Sequence, residues 1–417
     1  MGALLDLNFE DWCLFYLYLK PSSIPNLFND MKTLYRFLSF KALLRSKSFL
    51  NCLLCFYNKS WHGLLSCSCG LLLICCSCTS SPKTKVALQL PKSYVTPFTD
   101  EQIIIDGKDD DAAWINTAWT DPFVDIEGVE TPKFETKIKI LWDDTYVYFF
   151  SKMKDPHVWG NLKQRDTVIF YNNDFEIFID PDGDTHNYME IEINALNTVW
   201  DLFLTRPYRN HPKVLDQWDI KGLQSEVYVS GTINDPSDID QFWSVEIALP
   251  WESLLEADKG NKPPEGQTWR MNFSRVFWDF EIVDHRYHRK KDSQGKYLPE
   301  YNWVWSPQEV INMHEPEKWG FVHFAPKSET EQVREIDYPD DAALVLWMYS
   351  HYRVKLASSK NSNKSKIKFP IRESHKGSNF VLEQIVTPVG TILKSKSPKT
   401  SSVYYINQEG KLSSKKY

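Results

Sequence analysis

Four carboxylates crowd one short stretch of this sequence. In "YNNDFEIFIDPDGDTHNYMEIEIN" (171–194), Asp174, Glu176, Glu190 and Glu192 each sit beside large apolar residues. A period of two marks a half-buried strand, whose successive side chains point to opposite faces. Phe175, Ile177 and Ile179 then face a core with Met189, Ile191 and Ile193, and the acids share the other face with Asn194. If the two runs pair, facing carboxylates lie roughly 5 Å apart. Such like-charge crowding requires donors or cations. The candidates are catalytic carboxylates, metal ligands, acceptors for a polar ligand, or a solvated face balanced by Arg206, Arg209, Arg270 and Arg275. Sugar hydroxyls are donors as well. A carbohydrate site adds aromatic faces for the apolar side of the ring, and Tyr171, Trp200, Trp303 and Trp305 are near in sequence.

Other chemistries are weaker in the sequence. Asp180, Asp182 and Asp184 in "DPDGD" resemble a calcium loop but lack the spacing of an EF-hand, so an acidic hairpin turn is the alternative. A glycoside hydrolase needs two carboxylates about 5 to 9.5 Å apart. Neighbouring strand acids meet that trivially, so spacing does not discriminate. Met189, Met313 and His314 are the residue types that ligate haem, but the chain has no Cys-x-x-Cys-His attachment motif.

The elements that must position these groups are strands. "TKIKILWDDTYVYFFSKM" reads as a hairpin turning at Asp143-Asp144. "EVYVSGTI", "FWSVEIALPW", "WRMNFSRVFW" and "WGFVHF" add further strands. Many short strands with turn residues between them predict an all-β fold, an antiparallel two-sheet β-sandwich. Residues 340–356 read as a helix, "KNSNKSKIK" as a basic linker, and "NFVLEQIVTPVGTILK" and "SVYYINQEGKL" as strands. The expected C-terminal tail is therefore small and α+β, or partly disordered.

The 417 residues allow two or three domains. The net charge of -7 is unevenly spread: +4 over residues 1–83, -22 over 84–351 and +11 from Tyr352 onward. An acidic body disfavours nucleic acid as a partner. All eight cysteines fall at or before Cys78, which excludes a disulfide framework or thiolate site in the remainder. "GLLSCSCGLLLICCSCTSSPKTK" has an apolar run too short to span a bilayer, ending in Ser77-Cys78 before a polar stretch. It resembles a bacterial lipoprotein signal, which would leave Cys78 lipidated and the protein exported to the cell envelope. Cys67 is the alternative modified residue, Met31 an alternative start, and a noncleaved membrane anchor the alternative reading. The expected organisation is a signal region over 1–78, a linker over 79–97, a sandwich over 98–325, and a helix with a basic tail over 326–417.

Six stretches in order resemble carbohydrate-binding module family 9. They are "IIIDGKDDDAAW", "ILWDDTYVYFF", "NNDFEIFIDPDGD", "FWSVEIALPW", "WRMNFSR" and "WSPQEVINMHEPEKWGFVHF". The resemblance implies a sandwich that binds a poly- or oligosaccharide without catalysis, with structural calcium as an option. In the family a sugar end is clamped between two tryptophans, with charged and amide side chains on its hydroxyls. One clamp position falls on Tyr171, the glutamate on Glu176, and a family arginine on Glu192; the second tryptophan falls near Met313. The expected sugar-binding set is Tyr171, Asn172, Glu176, Glu192, Asn194 and Trp305, with Trp305 replacing the missing stack. A glycan hydrolase and a haem-binding sandwich remain the alternatives.

Overall fold

The computed structural model describes residues 88–254, 263–329, 338–359 and 367–417. The chain divides into two units, Met1–Lys83 and Thr84–Tyr417. The signal region, Cys67 and Cys78 lie outside the described residues, and the second unit is described here.

Alternating sequence becomes strand throughout. In chain order the strands are β1 (Ser93–Thr96), β2 (Val124–Asp125), β3 (Thr136–Trp142), β4 (Tyr146–Lys154), β5 (Asp174–Asp180), β6 (Tyr188–Asn194) and β7 (Val199–Leu204). There follow β8 (Val214–Leu215), β9 (Gln224–Ser230), β10 (Phe242–Pro250), β11 (Thr268–Phe277), β12 (Phe280–Val283), β13 (Arg286–Arg289), β14 (Tyr301–Val304) and β15 (Gly320–Phe324). The C-terminal strands are β16 (Ile371–His375), β17 (Ser378–Thr387), β18 (Gly390–Lys396), β19 (Ser402–Ile406) and β20 (Leu412–Lys416). The described helices are α1 (Ala112–Ile115), α2 (Trp251–Leu254) and α3 (Ala342–Ser359).

Two sheets make the sandwich. One runs β1-β15-β11-β5-β6-β7-β8, with β14 and β2 joining from β11; the other runs β3-β4-β10-β9. Their inner faces hold the apolar half of each alternation. Ile138, Ile140 and Trp142 meet Phe175, Ile177, Ile179, Met189, Ile191 and Ile193 in one core, closed by Trp243, Val245 and Ile247. The β3–β4 hairpin turns at Asp143, whose Oδ1 accepts the backbone N–H groups of Thr145 and Tyr146. One strand pair departs from the antiparallel expectation. β1, within the segment read as linker, pairs parallel with β15. Four residues are too few to carry a legible period.

The outer face of the large sheet is also covered. Phe178, Tyr188, Leu202 and Leu204 form a second apolar cluster with Met313 and Trp319, which come from the loop between β14 and β15. Asn272 pins that loop: its amide donates to Ser306 O at 2.8 Å and its Oδ1 accepts Ser306 N at 2.9 Å.

The C-terminal segment is a small α+β module. α3 packs Leu344, Trp347, Met348 and Tyr352 against Phe380, Leu382, Leu393 and Ile406 of the five-stranded sheet β16–β20. It docks on the acidic loop after β5. Leu412 N donates to Asp184 O, Thr185 Oγ1 to Gly410 O, and Lys411 Nζ lies 2.8 Å from Asp184 Oδ2. Glu315 and Glu317 are both buried and pair with Arg209 and with Arg353 of α3.

Candidate functional site

β5 and β6 pair antiparallel, with Glu176 directly opposite Glu192, Asp174 opposite Asn194 and Phe178 opposite Glu190. The alternation thus places all four acids on the outer face. That face is not wet. Asp174 is 0% exposed and Glu176, the most open of the four, 5%. A solvated face is therefore excluded, because the β14–β15 loop and the segment before β5 fold across it.

Glu176, Glu190 and Glu192 line a pocket of about 220 Å³. Its apolar walls are Phe178, Trp200, Leu202 and Met313; Tyr208, Asn302, Asn312 and His314 add polar groups. Tyr208 and Ile311 at its edge are 45% and 73% exposed. Glu192 Oε2 accepts the Phe170 N–H at 3.0 Å, and Asp174 Oδ1 accepts the Val276 N–H at 3.3 Å. Asp174 Oδ2, Glu176 Oε2 and Glu190 Oε2 are buried with no hydrogen-bond partner. Ser274, on β11 opposite Glu176, turns its hydroxyl toward that carboxylate, which partly offsets the rise from burial.

The arginines expected to balance these acids are engaged elsewhere. Arg275 points into the core and pairs with Asp155 at 2.9 Å. Arg209 pairs with Glu315 and Glu317, and Arg206 with Glu409. Arg270 donates to Glu317 O at 2.5 Å. Among the described residues, no lysine or arginine lines the pocket. His314 Nε2 stands 3.9 Å from Glu190 Oε2, but burial pushes the imidazole down to about 3, so it is neutral and makes no ion pair. Its Nδ1 is 2.8 Å from Tyr188 OH.

Burial without a cation raises the carboxylates. Glu176 is pushed up to about 7, chiefly by burial. Asp174, Glu190 and Glu192 lie well above the usual carboxylate range, first from burial and then from their neighbours' charge.

The expected sugar-binding residues separate into three groups. Glu176 and Glu192 meet in the pocket, joined by Glu190. Tyr171 faces elsewhere: its ring lies 4.5 Å from the Arg289 guanidinium, in a second hollow of about 390 Å³ lined by Trp159, Tyr287 and Tyr297. Asn172, Asn194 and Trp305 are structural in their contacts. Asn172 Oδ1 accepts the N–H groups of Asn161 and Leu162, and its Nδ2 donates to Asn161 Oδ1. Asn194 Nδ2 donates to Leu162 O, and its Oδ1 accepts Leu196 N and Thr198 N. Asn194, which also donates to Asn172 Oδ1, has no capacity left for a sugar hydroxyl, and the Asn172 oxygen is likewise fully used. Trp305 is not on the acidic face but in the core between the sheets, 1% exposed, 5.6 Å from the Phe273 ring.

The pocket also takes in Glu190 and Trp200, named among the candidate acids and aromatics but not in the expected set, and Tyr208, Asn302 and Asn312, which the sequence reading did not name. Glu190 continues the alternation of Glu192 and was legible from period alone. The others arrive through loops or a neighbouring strand, where no period marks them.

Two further acid groups could hold a cation. Asp180, Asp182 and Asp184 bring ligand atoms within 4.8 Å of one another. Asp180 accepts the N–H groups of Gly183 and Thr185. A calcium ion there would share Asp184 with the Lys411 ammonium. Asp174, Glu176 and Glu192 converge equally closely. Of the residues considered for haem, Met189 is buried in the core, while Met313 and His314 line the pocket.

A sequence profile described as carbohydrate family 9 binding domain-like matches residues 105–323, more than half of the chain. No curated protein matches. Among solved structures, a Bacteroides uniformis protein is 15% identical, covering 56% of this chain and 99% of its own, with a TM-score of 0.42. A carbohydrate binding module family 9 from Caldicellulosiruptor kristjanssonii, in complex with cellotriose, is 17% identical, covering 59% and 100%, with a TM-score of 0.36. A carbohydrate binding module family 9 from the same organism, in complex with glucose, is 16% identical, covering 58% and 100%, at 0.36. These likenesses are loose, and the assignment stands on the profile match across the sandwich. The chain belongs to the carbohydrate family 9 binding domain-like family.

Proposed function

We propose that this protein binds the end of a poly- or oligosaccharide, without cleaving it, in the pocket over β5 and β6. The observation that carries this reading is the grouping of Glu176, Glu190 and Glu192 under Trp200, Tyr208 and Met313. Carboxylates accept from ring hydroxyls, and aromatic and thioether surfaces cover ring C–H groups. The volume is below the roughly 300 Å³ at which ligand pockets usually begin, which suits one terminal ring. Hydrolysis needs a protonated acid beside an ionised carboxylate. Burial raises Glu176, Glu190 and Glu192 alike, so none of these three is set apart as the ionised partner of the others.

Titrating the chain against a panel of mono- and disaccharides tests the proposal. Glu176→Gln keeps shape and removes the charged acceptor. Affinity should fall by about 1–3 kcal/mol, the scale of a hydrogen bond to a charged group. Sugar release by the wild type, abolished in Glu176→Gln or Glu192→Gln, would establish a hydrolase instead.

The exported, lipid-anchored reading of the N-terminal region belongs to the same proposal. A surface or periplasmic anchor would hold captured glycan for enzymes that degrade it. Cys78→Ala should move the protein from the membrane fraction to the soluble one. Release by Cys67→Ala alone would move the anchor to Cys67, and a soluble wild type with residues before Cys78 intact would remove it.

A further inference from the structure

The pocket has more acceptors than donors. Three buried carboxylates line it, two of their oxygens have no partner, and no lysine or arginine among the described residues reaches it. An isolated ionised carboxylate away from water is costly unless paired. Ser274, fully buried on the sheet beneath, turns its hydroxyl toward Glu176, whereas Glu190, 4% exposed, has an oxygen with no partner at all. A neutral sugar would satisfy oxygens with hydroxyl donors but bring no positive charge to let the acids ionise in place.

We infer that the pocket selects a cationic amino sugar, a pyranose whose free amine is protonated, over its neutral and N-acetylated counterparts. The inference rests on the carbohydrate reading and deepens it. An ammonium carries three N–H donors, matching the carboxylates of Glu176, Glu190 and Glu192. Charge-assisted hydrogen bonds of this kind are about twice as strong as neutral ones. The ring that carries the amine has its own place, because Phe178, Trp200, Leu202 and Met313 wall the same pocket. A bare divalent ion uses the site less fully. It would draw on Asp174, Glu176 and Glu192, leaving Glu190 Oε2 unpaired and the apolar walls unused. N-acetylation removes the charge and adds bulk, so an acetamido sugar gains nothing from the surplus of acid.

The test is calorimetric titration of the full chain at pH 7 with glucosamine, glucose, N-acetylglucosamine, ethanolamine and calcium chloride. Glucosamine should bind at least tenfold more tightly than glucose or N-acetylglucosamine, and more tightly than ethanolamine. In Glu190→Gln, an isosteric change, the margin over glucose should shrink to under threefold. Glucose binding as tightly as glucosamine in the wild type would overturn the amino-sugar inference while the carbohydrate reading stood. Ethanolamine matching glucosamine would reduce the site to amine attraction and overturn it as well. Calcium binding that displaces glucosamine, and is lost in Glu192→Gln, would assign the acids to a metal. Binding of none of the sugars would sink both readings together. The ligand series is read on the wild type, so the result holds even where the variant folds poorly.

Discussion

Trp305→Ala should lower unfolding free energy by about 3–5 kcal/mol, the range for truncating a large buried aromatic. The ring lies between the sheets beside Phe273, and its backbone N–H donates to Phe273 O at 3.0 Å. Gly320 shows how tightly it is held. A Cβ at that position would stand 2.1 Å from Trp305 Cζ3, so Gly320→Ala should also destabilise strongly, through overpacking. The two residues touch, so their effects should not add. Gly320→Ala in a Trp305→Leu background should cost less than in the wild type. Denaturant titration of the four proteins reads this cycle. An unchanged midpoint in Trp305→Ala, with sugar affinity lost, would return Trp305 to the ligand surface.

Stability should fall as pH rises from about 6.5 to 8. In the folded chain Glu176 keeps its proton up to about 7, and Asp174, Glu190 and Glu192 titrate well above the usual carboxylate range. In the unfolded chain all four are ionised above about 4.5. The folded state thus binds more protons, and each retained proton costs about 1.4 kcal/mol of stability per pH unit. Glu246, also raised to about 7 by burial, acts in the same direction. His186 and His314 act oppositely, because burial lowers them to about 4 and about 3. Their contribution fades as pH rises through about 6.5, the unfolded histidine value, and is nearly gone by about 7.5. Glu190→Gln cannot ionise and should flatten the slope. Thermal melts at pH 6.5, 7.2 and 8.0 measure it; a flat or rising profile in the ligand-free wild type would mean that the pocket acids are solvated or already paired.

The strands were legible because one face of each is apolar. Period two fixed which side Phe175, Ile177 and Ile179 take, and hence where Asp174, Glu176, Glu190 and Glu192 go. It did not say what lies over the acids. Met313 and Trp319 reach that face through an irregular loop anchored by Asn272 and Ser306, a contact across more than thirty residues of chain. Trp305 continues the alternation of β14, with Tyr301 and Trp303 on the core side and Val304 on the other, and its core placement was legible from that period but was not drawn. Asn172 and Asn194 have the composition of ligand amides, but neighbouring backbone groups use them first. Arg275 departs from the alternation rule itself. It occupies an inward position on β11, where Asp155 pairs with it, and a charge there reads from sequence as an outward residue. The family resemblance reached the sandwich; of the residues it pointed to, Glu176 lines the pocket and Tyr171 turns its ring to Arg289.

The most direct measurement is a crystal structure of the chain with the tightest-binding sugar of the panel. The ring should sit under Trp200, Tyr208 and Met313, with its donors on the carboxylates of Glu176, Glu190 and Glu192. A sugar stacked instead on Tyr171 beside Arg289, with the acidic pocket left to water, would contradict that placement.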